Sequence, residues 1–258
     1  VALAVHDTTS LNYTTHPATK GLGLIGTSKD GPIGLLLHGT MAFSPDGTPL
    51  GLLDAQCWVR KPQEHGKKHL RKQLPIEQKE SMKWLKSYLA VAQVQKLCPD
   101  TVLVSVGDRA ADIYELFWQA AQDPQGPKLL VRCEKSRKRK VGGSPLWQKM
   151  LQEPVCGIQE VRVARKKSSP ARDAKLEVRY AQLTLKGPKN KRMGPVEVWV
   201  VYAREIHYRP KVKSPLEWML LTTVEVRSPE DAFERLHWYS RRWGIEVYHR
   251  TLKSGCNI

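Results

Sequence analysis

Four residues near the C-terminal end, Tyr239, Arg242, Glu246 and Lys253, have types and spacing that could handle a phosphate. If the stretch around them is helical, at about 100° per residue they fall on one stripe roughly 60° wide. A phenol, a guanidinium, a carboxylate and an ammonium would then share one face. Such a face suits a metal ion bound against a phosphate, with Glu246 as oxygen ligand and Arg242 and Lys253 on the non-bridging oxygens. It suits a solvated, salt-bridged helix surface equally well, and spacing alone does not separate the two. Two more carboxylates stand where chemistry is often done. Asp7 follows the apolar run 1–5, and Asp108 follows the aliphatic, β-branched run 101–106. Each is expected at the carboxyl end of a buried strand, where ligand sites of mixed α/β sheets gather. A helix cap is the plainer role for either aspartate.

The elements that must position these residues can be read in outline. Residues 228–258 read as one long helix: Ser228 suits the N-cap, Pro229 the first position, Glu230 and Asp231 the positive end, and Gly255 the stop. Strands are expected over 33–43 and 50–59, joined at Pro45-Asp46-Gly47, and again over 129–132 and 218–224. Helical spacing runs over 76–97 and about 110–121. From 134 to 209 the character shifts to short alternating runs separated by basic stretches at 136–140, 164–172 and 186–192. These predict an inserted antiparallel sheet whose basic tips favour phosphate contact over mere solubility. Gly21 to Gly26 (GLGLIG) matches a dinucleotide fingerprint as a string, but turn-forming residues follow it where a helix should begin, which excludes that reading.

The 258 residues are 41% hydrophobic, enough for one large domain or a core with an inserted subdomain. Lys+Arg 42 against Asp+Glu 25 gives a net charge of +17, spread along the chain, which points to a polyanionic partner. No apolar run reaches the roughly 18 residues of a membrane span, so a membrane is not expected as a partner. The five cysteines form no CxxC pair and the eight histidines no HxxxH pair, against zinc and against a disulfide framework. A reducing cytosol without a signal peptide is the expected setting, and the chain reads as a piece of a longer protein.

Three segments together resemble a known family. HDTTSLNY around Asp7, VSVGDRAADIY around Asp108 and WYSRRWGIEVYHRTLKSG around Glu246 resemble the DDE transposases of the insertion-sequence-four family, bacterial cut-and-paste elements. That family's last catalytic segment carries Tyr, two residues, Arg, three residues, Glu, six residues and Lys, which Tyr239, Arg242, Glu246 and Lys253 match. The resemblance extends to LLVRCEKSRK and PLEWMLLT, and so over nearly the whole chain. It implies an RNase H-like (retroviral integrase-like) mixed sheet with flanking helices and a β-rich insertion before the last helix. The corresponding division is 1–133 for the first part of the core, 134–215 for the insertion, and 216–258 for the last strand and the glutamate helix.

The resemblance also implies an activity. Asp7, Asp108 and Glu246 would bind two Mg²⁺ or Mn²⁺ ions for DNA cleavage, hairpin formation and strand transfer. Tyr239, Arg242, Lys253, Trp218 and Arg132 would contact DNA, with Trp218 stacking on a flipped base. Double-stranded transposon ends and target DNA would be the partners, a homodimer the full-length assembly, and the bacterial cytoplasm and nucleoid the location. The segments that family members use to recognise ends and to pair two transposases have no counterpart in the sequence. A DNA-binding module without transposition and a plain RNase H-like nuclease are the competing readings.

Overall fold

The computed structural model describes all residues except 27, 29, 61–73, 164–170, 189–190, 209–211, 213–214 and 257. In chain order the elements are β1 (Ala2–Asn12), β2 (Gly23–Leu24), β3 (Ile33–Phe43), β4 (Pro49–Trp58), α1 (Met82–Leu97), β5 (Leu103–Gly107), α2 (Tyr114–Ala121) and β6 (Lys128–Arg132). Then come β7 (Lys140–Val141), β8 (Ser144–Pro145), α3 (Leu146–Gln152), β9 (Gly157–Val163), β10 (Arg172–Leu185), β11 (Val196–Ile206), β12 (Glu217–Thr222), α4 (Pro229–Ser240) and α5 (Trp243–Arg250). A π-helical turn over Thr251–Gly255 follows α5. The fold is mixed α/β. No helix among the described residues is long and apolar enough to cross a membrane.

The chain forms two compact units, one of Val1–Val106 with Arg241–Ile258 and one of Gly107–Ser240. In the first, β1 pairs antiparallel with β3 and parallel with β5, while β2 and β4 share the far edge of β3. Side chains alternate across a strand, and β1 uses both faces differently. His6 faces a buried polar layer: its Nδ1 bonds the Thr40 hydroxyl and its Nε2 the Ser105 hydroxyl, both at 2.8 Å. Thr8 bonds His38 at 2.8 Å on the same side, and Trp84 of α1 stands edge-on to both imidazoles. The opposite face presents Asp7, which stands in register with Gly39 of β3. There α5 packs against β1 and β3 through buried Ile245 and His249. A Cβ on Gly39 would lie 3.7 Å from His249 Nε2, and one on Gly244 would come within 2.6 Å of the Phe43 ring. Glycine at 244 is thus what lets this helix seat on β3.

The second unit is an antiparallel sheet in the order β6-β12-β11-β10-β9. Alternating residues Leu176 and Val178 of β10 and Val198 and Val200 of β11 are fully or almost fully buried. The helix α4 opens as its sequence predicts, with the Ser228 hydroxyl accepting from Asp231 N–H and Asp231 Oδ2 accepting from Ser228 N–H. That is a reciprocal cap. The boundaries expected at 134 and 215 both fall inside this unit.

Three expectations need correction. The first strand does not stop near residue 5 but runs to Asn12, so Asp7 lies mid-strand. Ten consecutive residues pair with β3, and the ladder carries the strand on through Thr8, Thr9 and Ser10. The long helix is broken: α4 ends at Ser240, α5 begins at Trp243, and the π-helical turn shifts the phase again before Lys253. The single stripe through Tyr239, Arg242, Glu246 and Lys253 therefore does not exist as drawn. The basic stretches are also less free than expected. Arg139 bonds the fully buried Asp112, Lys191 bonds Glu115, and Arg172 makes two 2.7 Å bonds to Glu205. Residues 164–170 and 189–190 of the second and third stretches lie outside the described residues.

Candidate catalytic and nucleic-acid contact residues

In the first unit, Arg242 opens the turn into α5, and Glu246 is one helical turn further on. The two side chains form an i, i+4 ion pair, with the guanidinium donating to Glu246 Oε1. The other terminal nitrogen of Arg242 lies 3.7 Å from Asp7 Oδ2. Two carboxylates from different elements thus meet at one guanidinium, on the face of β1 that α5 covers. Glu246 keeps a third of its side chain exposed and Asp7 a fifth, so neither is sealed from an incoming ligand. His249 Nδ1 stands 3.9 Å from the same Asp7 oxygen. Burial, with Lys253 adding repulsion, pushes the His249 imidazole down to about 4. It is neutral near pH 7, and the approach to Asp7 is that of a polar neighbour, not of an ion pair. Lys253 sits in the exposed π-helical turn after α5.

The other singled-out residues belong to the second unit. Asp108 follows β5 directly, as predicted, and its side chain accepts from Ala110 N–H at 2.8 Å, capping a 3-10 turn over Arg109–Ala111. The capping role weighed for it is therefore present. Trp218 on β12 and Tyr239 on α4 meet edge to face, ring centroids 5.5 Å apart. Arg132 lies opposite Leu220 across the β6–β12 ladder. Leu220 is two residues beyond Trp218, so Arg132 leaves the sheet on the Trp218 side. Its guanidinium donates to the Glu217 carbonyl at 2.9 Å. Asp112, four residues beyond Asp108, pairs with Arg139 and also lies 3.7 Å from Arg137.

The donor chemistry of the Asp7–Glu246 pair suits a hard divalent cation, because both offer carboxylate oxygen and both already face a positive group. A complete set is not assembled: among the described residues, no group of three or more His, Cys, Asp or Glu side chains is placed to hold a metal ion.

No family model matches the chain. Among solved structures, the chain is similar to that of a piggyBac transposase synaptic complex with hairpin DNA, determined by cryo-EM, at 8% sequence identity and a TM-score of 0.45. The match covers 96% of this chain but only 39% of that one, so the chain spans well under half of the length of the transposase it matches.

One residue escaped the sequence reading. Trp243, beside Arg242, is 62% exposed. A large aromatic left in water next to a phosphate-binding candidate can stack on a base. Its neighbours in sequence gave the signal, but a tryptophan in a helix is more often buried, and exposure shows only once the face of α5 is known.

Proposed function

We propose that this chain is the catalytic core of a metal-dependent DNA transposase of the DDE type, built on an RNase H-like core with 134–215 as its β-rich insertion. The observation that carries this reading is the meeting of Asp7 and Glu246 at the Arg242 guanidinium. Asp7 and Glu246, with Asp108 as the third carboxylate, would hold two Mg²⁺ or Mn²⁺ ions. Such ions supply Lewis-acid stabilisation of charge on the attacking and leaving oxygens of an in-line displacement at phosphorus.

The chain's own residues have separate tasks. Arg242 would offer its donors to a non-bridging phosphate oxygen, for which a planar guanidinium is well shaped. Lys253 would add charge at the same strand, and Arg132 would position it. Trp218, braced by Tyr239, would stack on an unpaired base, an interaction worth about 1–3 kcal/mol. The substrates would be transposon ends and target DNA, cleaved through a hairpin intermediate, with the full-length protein acting as a homodimer in the bacterial nucleoid. A second reading, a DNA-binding module that no longer transposes, is favoured by the absence of an assembled three-ligand group among the described residues.

Titration of Mn²⁺ into the protein with a short duplex separates the two, comparing wild type with Asp108→Asn and Glu246→Gln. Saturable Mn²⁺ binding and Mn²⁺-dependent nicking, both lost in the variants, are expected. Tight, salt-sensitive duplex binding that ignores metal and both substitutions would leave only the DNA-binding module.

A further inference from the structure

The second unit carries a pocket of about 190 Å³ whose walls include Arg109, Arg132, Lys135, Trp147, Glu217 and Met219. Side chains alternate along β12, so Glu217 and Met219 leave on the face opposite Trp218. Trp218, assigned above to base stacking, is not among the pocket's walls, whereas Arg132, which leaves the sheet on the Trp218 side, is.

Its walls are strongly biased in charge, with three cationic side chains against a single carboxylate. That carboxylate is already engaged: Glu217 accepts from Lys135 Nζ at 2.9 Å and from the Tyr202 hydroxyl at 2.8 Å. Burial pushes Glu217 up, but the bonds from Lys135 and Tyr202 outweigh it and hold the carboxyl below its usual range, so it stays ionised. Arg109 is exposed, with the Glu134 carboxylate within electrostatic reach. Lys135 also lies over the Trp147 ring, 5.7 Å from its centroid, which braces the ammonium at the mouth. The Trp147 indole nitrogen is buried with no hydrogen-bond partner among the described residues. A buried donor left without an acceptor is costly. Excess positive charge in a concave site walled by an aromatic ring suits an anion rich in oxygen acceptors.

From this we infer that the pocket binds a phosphate group, carried either by a nucleic-acid backbone or by a free nucleotide, with Arg109 and Lys135 as its charged contacts and Trp147 as its wall. The pocket shares Arg132 with the strand-transfer reading, but its two proposed charged contacts, Arg109 and Lys135, have no part in it. The test adds no divalent metal and reads no cleavage, so the two can fail separately.

The test follows the Trp147 indole N–H resonance, assigned through Trp147→Phe, while inorganic phosphate, a deoxynucleoside monophosphate and a short oligonucleotide are titrated in turn. A saturable shift is expected with at least one of them, weakened about five-fold or more in Arg109→Gln and Lys135→Gln. Lys96→Gln, an exposed charge removed from the other unit, should leave it unchanged. A shift with the oligonucleotide alone assigns the site to the backbone, and a shift with the monophosphate or phosphate assigns it to small ligands. No saturable shift with any probe would overturn the assignment, as would equal weakening by Lys96→Gln. All three substituted charges are at the surface, and unchanged melting curves confirm that the variants are folded.

Discussion

A guanidinium held between two carboxylates separates binding from chemistry. Arg242 neutralises Glu246 directly and lies 3.7 Å from Asp7, so it competes with any cation drawn to the same oxygens. In Arg242→Gln, the carboxylates lose that competitor, and Mn²⁺ affinity measured by titration calorimetry should rise a few-fold. Mn²⁺-dependent nicking should fall by about ten-fold or more, because a bidentate phosphate donor has gone. Loss of both together would show that Arg242 only holds the carboxylates in place. Asp108 needs a similar separation, because it caps a turn through Ala110 N–H. Asp108→Ala should cost about 1 kcal/mol of stability in denaturant unfolding, the usual worth of a cap. Asp108→Asn keeps an acceptor and should unfold like wild type, yet lose nicking. Retained nicking in Asp108→Asn would reduce this residue to its cap.

The helix α5 carries Glu246 to β1, and its seat depends on a glycine. A methyl at 244 would meet the Phe43 ring at 2.6 Å, whereas one at 39 would find ordinary contacts of 3.7–4.0 Å. Gly244→Ala should therefore destabilise the fold by roughly 1–3 kcal/mol through overpacking and displace Glu246 from Asp7, with loss of nicking. Gly39→Ala should fold and nick nearly as wild type, and equal damage from both would contradict this packing account. Much at this scale was legible beforehand. The alternating runs became β9 to β11, the run before Asp108 became the fully buried β5, and Ser228 caps α4. What misled was local chemistry without its partner strand. By residue type the strand ends with the apolar run 1–5, and only the pairing of Thr8 to Asn12 with β3 carries it on. Arg241 and Arg242 are good helix formers, so nothing local marks the break between α4 and α5. The spacing from Tyr239 to Lys253 does not become a single helical stripe.

For the molecule as a whole, the excess of +17 was legible from composition, but its distribution was not. Arg139, Arg172 and Lys191 turned inward to buried or half-buried carboxylates, pairs far apart in sequence that no local pattern reveals. The buried histidines of the first unit were equally hidden, since a lone His beside Asp7 and another in β3 look like surface residues. Their burial has a consequence in pH. Desolvation pushes His6 down to about 3, with Asp54 opposing, and pushes His38 down to about 2, helped by His6, Lys83 and His249. Both are therefore neutral in the fold at any ordinary pH, while in the unfolded chain they titrate near 6.5. Between pH 6.5 and the folded values the unfolded state holds more protons, so stability falls as pH is lowered. The contribution is complete above about pH 6.5 and decays below it, with a slope approaching about 1.4 kcal/mol per pH unit for each histidine. Urea unfolding at about pH 7.5 and about pH 5 should show a loss on the order of 2 kcal/mol per buried histidine, before the carboxylates begin to titrate. His38→Gln should be less sensitive to this change than wild type, since one of the groups is then absent. A stability that stays level from pH 7.5 to 5 would mean that the His6–His38 layer takes up protons in the folded state, and the buried, neutral layer between β1, β3 and α1 would have to be abandoned.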